Sequence, residues 1–239
     1  MTTDPCFYCP DLPAVGGSHQ LSEEESRHAG ASRRIRAGDT ISLLDGGGTL
    51  AAAVVDAVSR RALAFTVRER RTVPPPGTAL TVACAVPKGE RFRTMVDMLT
   101  QIGVAGIVPL RCERSTVKPG PSTVDRGRRI AIEACKQSRN PFVPAIAQPV
   151  SVHESLARIP GTAVLAYAEA GGGALAERLE ESDSLCLYIG PEGGFTEAEV
   201  SALAGRGARP VGLGGNILRV EMAAVAGAVL AMIPAERPA

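Results

Sequence analysis

The chain of 239 residues lacks the segments that mark membrane and secreted proteins. No stretch approaches the roughly 20 uncharged apolar residues that are needed to span a bilayer. The first residues, MTTDPCFYCPDLP, contain no basic region followed by an apolar one, which argues against secretion. Hydrophobic residues make up 45% and charged residues 21%, as in ordinary globular proteins, so a disordered chain is excluded as well. We therefore expect a folded, cytoplasmic protein.

The signatures of several enzyme classes are also missing. There is no phosphate loop of the GxxxxGK[ST] type, and the nearest approach to GxGxxG, at 212–217, ends in Ile and comes late in the chain. No Ser, Cys or His lies in a nucleophile elbow, and the three histidines are far from the glycine-rich segments. These absences exclude kinases, NTPases and classical dehydrogenases. They also leave no visible catalytic residue for a hydrolase.

The patterns for a metal site are incomplete. Cys6 and Cys9 form one CxxC, but the second CxxC or HxxxH that completes a tetrahedral zinc site is missing. His19 and His28 could supply ligands only at a spacing that matches no standard pattern. We expect no metal. We interpret the remaining four cysteines as small core hydrophobes, namely Cys84, Cys112, Cys135 and Cys186.

The net charge of +1 hides an uneven distribution. Residues 1–87 hold nine basic and nine acidic side chains, residues 88–139 hold eleven and five, and residues 140–239 hold six and eleven, so the differences are 0, +6 and −5. A basic segment of this kind is typical of a polyanion site, although a solvated helix face gives the same pattern. Its members are Lys88, Arg91, Arg93, Arg111, Arg114, Lys118, Arg126, Arg128, Arg129, Lys136 and Arg139.

Three consecutive prolines, at 74–76, divide the chain. Residues 73–77 predict an extended linker, because proline removes backbone donors and fixes φ. Residues 1–72 predict a small β-barrel or meander with strands at 40–44, 50–58 and 63–67, separated by turn residues. A helix over 22–31 begins with a Ser22 cap pattern. With arginines nearby, this part suits an accessory RNA-binding module.

Residues 78–239 change to an alternation of strands and helices. Apolar runs predict strands at 79–86, 106–110, 163–168, 184–190 and 210–213. Helical patterns lie at 90–102, 123–139, 173–181, 196–204 and 219–232. The alternation indicates an α/β fold with parallel strands, in which ligands bind beyond the carboxyl ends of the strands. Glycine clusters lie at those ends, at 190–194 and 212–215.

Both glycine clusters lead into helices. In the first, Gly193 and Gly194 would let a backbone approach a ligand closely, and Thr196 with Glu199 predicts a capped helix. The second runs into an apolar helix in which Arg219 and Glu221 are the only charges for many residues. That pair indicates either a functional role or a cap on a dimer interface.

The pattern GPEGGFTEAE, followed by LGGNILRVE, resembles the SPOUT methyltransferases, and specifically the bacterial ribosomal small-subunit RNA methyltransferase E family. The resemblance extends over nearly the whole chain, through residues 28–39, 87–90, 102–104, 109–110, 113–115 and 133–138. It implies a PUA-like β-barrel followed by an α/β domain with a deep trefoil knot, which forms homodimers. It also implies methylation of uridine N3 in 16S ribosomal RNA with S-adenosylmethionine.

The resemblance and the charge pattern together imply two sets of binding residues. The expected cofactor-binding residues are Leu165, Ala166, Tyr167, Gly190, Pro191, Gly193, Gly194, Leu213, Gly214, Ile217 and Leu218. The expected RNA-binding residues are Arg33, Arg34, Arg36, Lys88, Arg91, Arg93, Arg114, Arg128, Arg129 and Arg139.

Methyl transfer needs positioned groups rather than a nucleophile. A methyl group on a sulfonium is already activated, so the protein must align uracil N3 with it and accommodate the N3 proton. Glu192 and Glu221 are the candidate bases, and Arg219 is expected to stabilise negative charge on the uracil oxygens. Alternatively, Glu192 stabilises the turn through hydrogen bonds with backbone N–H groups.

Three positions depart from the family pattern. Asn216 stands where Arg is usual, and Val220 and Met222 stand where Thr is common. The missing side chains could have bound the cofactor carboxylate, a phosphate or the neighbouring backbone. Two alternatives therefore stay open beside the uridine methyltransferase. One is a non-catalytic RNA-binding protein of the same fold, and the other is a SPOUT enzyme that acts on another RNA base.

Overall fold

The structure, a computed structural model, describes residues 4–32, 35–59, 61–159, 164–173 and 184–232. Contacts divide the chain into two compact units. The first comprises residues 1–75 together with 132–143, and the second comprises residues 76–131 together with 144–239. The first unit therefore includes a segment that lies far beyond the proline linker in sequence.

The first unit is built on a five-stranded sheet in the order β1-β3-β4-β5-β2. Its strands are β1 (Cys6–Tyr8), β2 (Ser18–Gln20), β3 (Thr40–Leu44), β4 (Thr49–Val58) and β5 (Leu63–Thr72). Strand β1 runs parallel to β3, and the other pairs are antiparallel. Alternate residues of β4 and β5, among them Val55, Leu63 and Phe65, are buried in one core. The three predicted strands are present, but β5 continues five residues beyond its predicted end at 67, and the short β1 and β2 were not predicted.

Helix α1 (Glu23–Ser32) begins where its cap pattern predicts. The Ser22 hydroxyl accepts a hydrogen bond from the backbone N–H of Glu25 over 3.2 Å. Such a cap satisfies one of the N–H groups that a first helical turn leaves without a partner.

The end of helix α3 (Pro121–Ser138) is part of the first unit. The Nζ of Lys136 lies 2.7 Å from Oε1 of Glu25 on α1 and 2.6 Å from Oε1 of Glu133, and the Lys136 and Glu25 side chains are buried. The Arg139 guanidinium donates hydrogen bonds to the Ser42 hydroxyl and to a carbonyl near the N-terminus. Removing one partner from a buried ion pair typically destabilises a protein by about 3–5 kcal/mol. These contacts therefore bind the helix end firmly to the barrel.

The second unit contains a six-stranded, fully parallel sheet in the order β11-β9-β10-β6-β7-β8. The strands are β6 (Ala79–Ala85), β7 (Gly106–Leu110), β8 (Ala145–Ile146), β9 (Val164–Gly173), β10 (Ser184–Ile189) and β11 (Arg209–Val211). The further helices are α2 (Glu90–Ile102), α4 (Val152–Arg158), α5 (Glu197–Gly205) and α6 (Val220–Met232). The predicted alternation and the parallel sheet are confirmed.

The central strands have continuous apolar sequences because helices cover parallel sheets on both faces. Leu80, Val82 and Leu187 are fully buried, and Cys84 and Cys186 are core residues as predicted. Helix α6 packs on α2 and on β6 and β10. The helix predicted at 173–181 lies outside the described residues, except for Gly173, which ends β9.

Strands β11, β9 and β10 are neighbours in the sheet. Because parallel strands end at the same edge, the loops that follow them lie side by side there. The deep knot that the family resemblance implies stays a prediction. Within the residues described, no helix is both long enough and apolar enough to cross a membrane.

Candidate functional site

The first glycine loop, residues 190–195, connects β10 to α5. Its backbone forms a turn in which the N–H of Gly194 donates to the carbonyl of Pro191 over 2.8 Å. Gly194 has a φ of +69°, which glycine adopts without strain. Thr196 then caps α5. Its hydroxyl accepts a hydrogen bond from the backbone N–H of Glu199, and the Glu199 carboxylate accepts one from the backbone N–H of Thr196. The predicted cap is confirmed, and it fixes where the loop ends.

The second glycine loop, residues 212–219, connects β11 to α6. Its first residue is attached to the end of β9, since the N–H of Gly212 donates to the carbonyl of Gly173 over 3.0 Å. Gly172 and Val211 approach so closely that a Cβ on Gly172 would lie 2.6 Å from the Val211 backbone. Beyond this attachment the loop is largely exposed, and Ile217 is 100% exposed. The loop thus begins at a fixed point and extends away from the sheet.

A cavity of about 260 Å³ lies between the two glycine loops, at the carboxyl edge of the sheet. It brings together eight of the predicted site residues, namely Gly190, Pro191, Glu192, Gly194, Leu213, Gly214, Ile217 and Leu218. The other predicted cofactor residues do not line the cavity. Gly193 packs against Arg114, and Leu165, Ala166 and Tyr167 are buried in β9, directly before the lining residue Ala168. The departure Asn216 is also on the cavity wall.

Two carboxylates face this cavity, and sequence reasoning found only one of them. Glu192 lies 3.6 Å from the Arg91 guanidinium, at the start of α2. Glu169, which was not predicted, is an exposed residue in the second half of β9. Burial, together with the charge of Glu169 and a hydrogen bond to it, raises the pKa of Tyr167. The position of Glu169 at the end of a predicted strand was the signal that could have identified it.

Arg219 and Glu221 flank Val220, the first residue of α6. Val220 lines the cavity, whereas the side chains of Arg219 and Glu221 do not. Arg219 is exposed, and no carboxylate of the described residues forms an ion pair with it. Glu221 is buried, and its Oε2 has no hydrogen-bond partner within the described part of the chain. The predicted catalytic residues are therefore divided, with Glu192 in the cavity wall and the other two beside it.

Two segments of the chain match known sequence families. Residues 21–68 match an RNA methyltransferase PUA domain, and residues 74–232 match an RNA methyltransferase domain. A ribosomal RNA small subunit methyltransferase E from Mycobacterium bovis is 33% identical over 228 residues, which is 91% of this chain and 87% of that protein. The chain belongs to the ribosomal RNA small subunit methyltransferase E family. A Bacillus subtilis protein of that name is 30% identical over 220 residues, 85% of each chain.

Solved structures of one methyltransferase E protein and of a second methyltransferase share the fold of this family member. The Neisseria gonorrhoeae enzyme, bound to S-adenosylmethionine, has a TM-score of 0.88 at 26% identity, over 94% of this chain and 95% of that one. A Legionella pneumophila methyltransferase in complex with the same cofactor has a TM-score of 0.88 at 27% identity, over 96% and 97%. The predicted fold class, a PUA-like barrel followed by an α/β methyltransferase domain, is confirmed.

In this methyltransferase E chain, the segment after β7 holds the first glycine loop. The Arg114 guanidinium donates to the carbonyls of Gly193 and Phe195 over 3.0 and 3.2 Å. The buried Glu199 carboxylate accepts from the backbone N–H of Glu113 over 3.1 Å. Burial, with the charge of Glu199, raises the pKa of the nearby Cys112 thiol to about 12. Residues 113 and 114 therefore hold both the glycine loop and the helix that follows it.

The predicted RNA-binding residues of this methyltransferase fall into three groups. Four are exposed and make no ion pair with the described residues: Arg36, Lys88, Arg93 and Arg128. Four have partners within the chain. Arg91 lies beside Glu192, and Arg114 donates to the glycine loop. Arg129 donates to a carbonyl of its own helix, and Arg139 donates to Ser42 in the first unit. Arg33 and Arg34 lie outside the described residues.

Proposed function

We propose that this methyltransferase E family member transfers a methyl group from S-adenosylmethionine to N3 of a uridine in 16S ribosomal RNA of the small ribosomal subunit. The cavity between the two glycine loops carries the proposal, because it lies at the ligand-binding edge of a parallel sheet. Relatives that hold S-adenosylmethionine and relatives named for small-subunit ribosomal RNA support it. Because the proposed substrate is ribosomal RNA, we expect the reaction to take place in the cytoplasm.

The cavity has the chemistry that this cofactor requires. S-adenosylmethionine has an uncharged adenine, a sulfonium cation and a zwitterionic tail. The wall offers glycine backbone, apolar side chains such as Leu213 and Leu218, and the two carboxylates of Glu169 and Glu192. No basic side chain of the described residues lines it, so the wall suits a cation and apolar surface better than a phosphate.

The side chains beside the cavity have distinct proposed roles. Bound S-adenosylmethionine supplies a methyl group that its sulfonium activates. Glu192, which lines the cavity, is the proposed acceptor of the N3 proton of the uracil, and Glu221, whose Oε2 has no partner among the described residues, is the alternative acceptor. Arg219 stabilises the negative charge that develops on the uracil oxygens.

We predict that Arg114 acts on the cofactor loop rather than on RNA. Replacing Arg114 by Ala removes two charge-assisted hydrogen bonds to loop carbonyls, so the Kd for S-adenosylmethionine should rise by about tenfold. Calorimetry measures this change directly. Arg93→Ala is the matched control, since Arg93 is exposed without an ion pair to the described residues, and it should leave cofactor affinity unchanged. If Arg114→Ala instead flattened the salt dependence of RNA binding and spared the cofactor, Arg114 would be an RNA contact.

The proposal includes a homodimer formed through α6. One side of α6 packs on the sheet, and the other leaves Met222, Val229 and Leu230 exposed by 50%, 40% and 44%. We expect twice the 24.8 kDa chain mass in sedimentation at micromolar concentration, and dissociation after Val229→Lys. Val15→Lys is the control, because Val15 is an exposed apolar residue in the first unit. A native mass near one chain would contradict the dimer.

The product of the reaction separates the proposal from its alternatives. Small subunits from a strain that lacks this protein are incubated with the purified chain and methyl-labelled S-adenosylmethionine, and the RNA is then analysed as nucleosides and by primer extension. Labelled 3-methyluridine at one position supports the proposal. Another labelled nucleoside would assign the chain to a SPOUT enzyme with a different target base. No label, together with no heat of cofactor binding in calorimetry, would leave a non-catalytic RNA-binding protein.

A further inference from the structure

A second cavity lies wholly within the first unit, separate from the one between the glycine loops. Its volume is about 760 Å³, within the range of roughly 300–1,000 Å³ that is usual for small-ligand sites. Strands β4 and β5 form one side, and the end of α3 forms the other. We call it the barrel cleft, defined by Leu50, Ala51, Arg70, Arg71, Gln137 and Arg139.

The barrel cleft is strongly basic. Three arginines line it against a single acidic residue, Glu69, so its lining side chains sum to +2. Arg70 and Arg71 are exposed, and within the described residues neither has a carboxylate close enough for an ion pair. Arg139 has a φ of +61°, and its side chain is positioned by a 2.6 Å hydrogen bond to the Ser42 hydroxyl. The cleft therefore presents one fixed cation and two cations that are available to a ligand.

The remainder of the lining is apolar or neutral. Leu50 and Ala52, on one face of β4, contribute apolar side chains, and Gln137 and Ser138 add amide and hydroxyl groups at the end of α3. Guanidinium groups bind phosphates through paired hydrogen bonds and also stack on nucleobases. An apolar wall with a few hydrogen-bonding groups suits the face and edge of one unstacked base, whereas a base within a duplex is enclosed by its neighbours.

We propose that the barrel cleft binds an unpaired nucleotide of the RNA substrate, with Arg70 and Arg71 on the adjoining phosphates. This inference rests on the proposed RNA methyltransferase function and extends it to a recognition site outside the cofactor cavity. The cleft and the cofactor cavity belong to different compact units, so their failures are distinguishable. A protein that binds no S-adenosylmethionine but passes the test below would refute the methyltransferase and keep the cleft.

The test compares two arginine replacements that remove equal charge from the cleft and from its surroundings. Arg70→Ala/Arg71→Ala should weaken binding of a fluorescein-labelled single-stranded oligouridylate of about 12 nucleotides by at least tenfold. Each phosphate contact on a single strand accounts for about 0.7 in the slope of log K against log salt, so the slope should fall by about 1.4. The control is Arg68→Ala/Arg61→Ala, since both residues are exposed and neither lines the cleft. It should retain more of the affinity and slope than the cleft variant.

A third variant tests the base contact. Gln137→Leu should weaken binding of the same oligouridylate several-fold without a change in the salt slope, because it removes hydrogen bonds and no charge. The melting temperature and the S-adenosylmethionine affinity of every variant should match those of the native protein. Equal losses in the cleft and control variants would overturn the proposal in favour of a diffuse basic surface. Equal loss of binding to the duplex of oligouridylate with oligoadenylate would also overturn it, in favour of helix binding.

Discussion

Replacing Arg219 by Ala should lower kcat by about 100-fold or more, the usual effect of removing one donor that stabilises developing charge. Arg219 is exposed just before α6, and its neighbours Leu218 and Val220 line the cavity between the glycine loops. Since no carboxylate of the described residues pairs with its guanidinium, it is available to the oxygens of the proposed uracil substrate. Steady-state methyl transfer with saturating RNA and S-adenosylmethionine measures the change, and the Kd for RNA and for S-adenosylmethionine should stay near the native values.

The control for Arg219 is Arg209→Ala in β11, which removes an exposed arginine from the same unit without touching the cavity. Its kcat should be close to that of the native protein. Arg219→Lys should recover part of the rate, because it restores the charge without the planar fork. If Arg219→Ala lost RNA affinity in proportion to activity, the residue would be a substrate clamp without a transition-state role.

Replacing Gly194 or Gly214 by Val should abolish S-adenosylmethionine binding. Their φ angles are +69° and +131°, and β-branched residues adopt such angles only at a penalty of about 1–3 kcal/mol. Nothing in the structure lies within 4 Å of a Cβ at either position, although both residues line the cavity. The added side chain would therefore occupy space that the ligand needs as well as strain the loop. Calorimetry with S-adenosylmethionine gives the affinity.

A control replacement at a glycine outside the cavity distinguishes the effect of backbone strain from the effect of blocking the cavity. Gly207 has a φ of +81° and open space at its Cβ, but it lies in the turn before β11 and does not line the cavity. Gly207→Val should lower the melting temperature as much as Gly194→Val does and leave the Kd for S-adenosylmethionine unchanged. Native affinity in both the Gly194 and Gly214 variants would remove the glycine loops from the cofactor site.

The long elements of the fold were predictable because their sequences carry a strong period. Helices α2 and α6 and strands β6, β7 and β10 begin and end within a residue or two of the predicted bounds. Strands of two or three residues, such as β1 and β8, are too short to show alternation. Helix α4 was missed although its Ser151 and Glu154 form a capping box, which is visible in the sequence as Ser-Val-His-Glu.

The candidate site was predictable only where local sequence determines it. The glycine loops follow apolar strands, so the sequence places them at the carboxyl edge and predicts the Thr196 cap. Partners that are distant in sequence leave no such signal. The contact between Arg114 and Gly193 joins residues 79 positions apart, and the Glu192 partner Arg91 comes from a helix about 100 residues earlier. The charge pattern alone predicts that all such arginines bind RNA, because it does not show which of them contact other residues of the chain.

The first unit is made of two segments that are distant in sequence, and this affects how the chain folds during synthesis. The barrel emerges from the ribosome first, but several of its contacts come from residues 132–143. Lys136 closes the buried pair with Glu25, and the carbonyl of Pro141 accepts from the N–H of Gly48 over 3.0 Å. While residues 76–131 of the other unit are being made, Glu25 therefore remains without its lysine. The two units cannot mature one after the other along the chain, and a fragment that ends at the prolines would be an unfinished barrel.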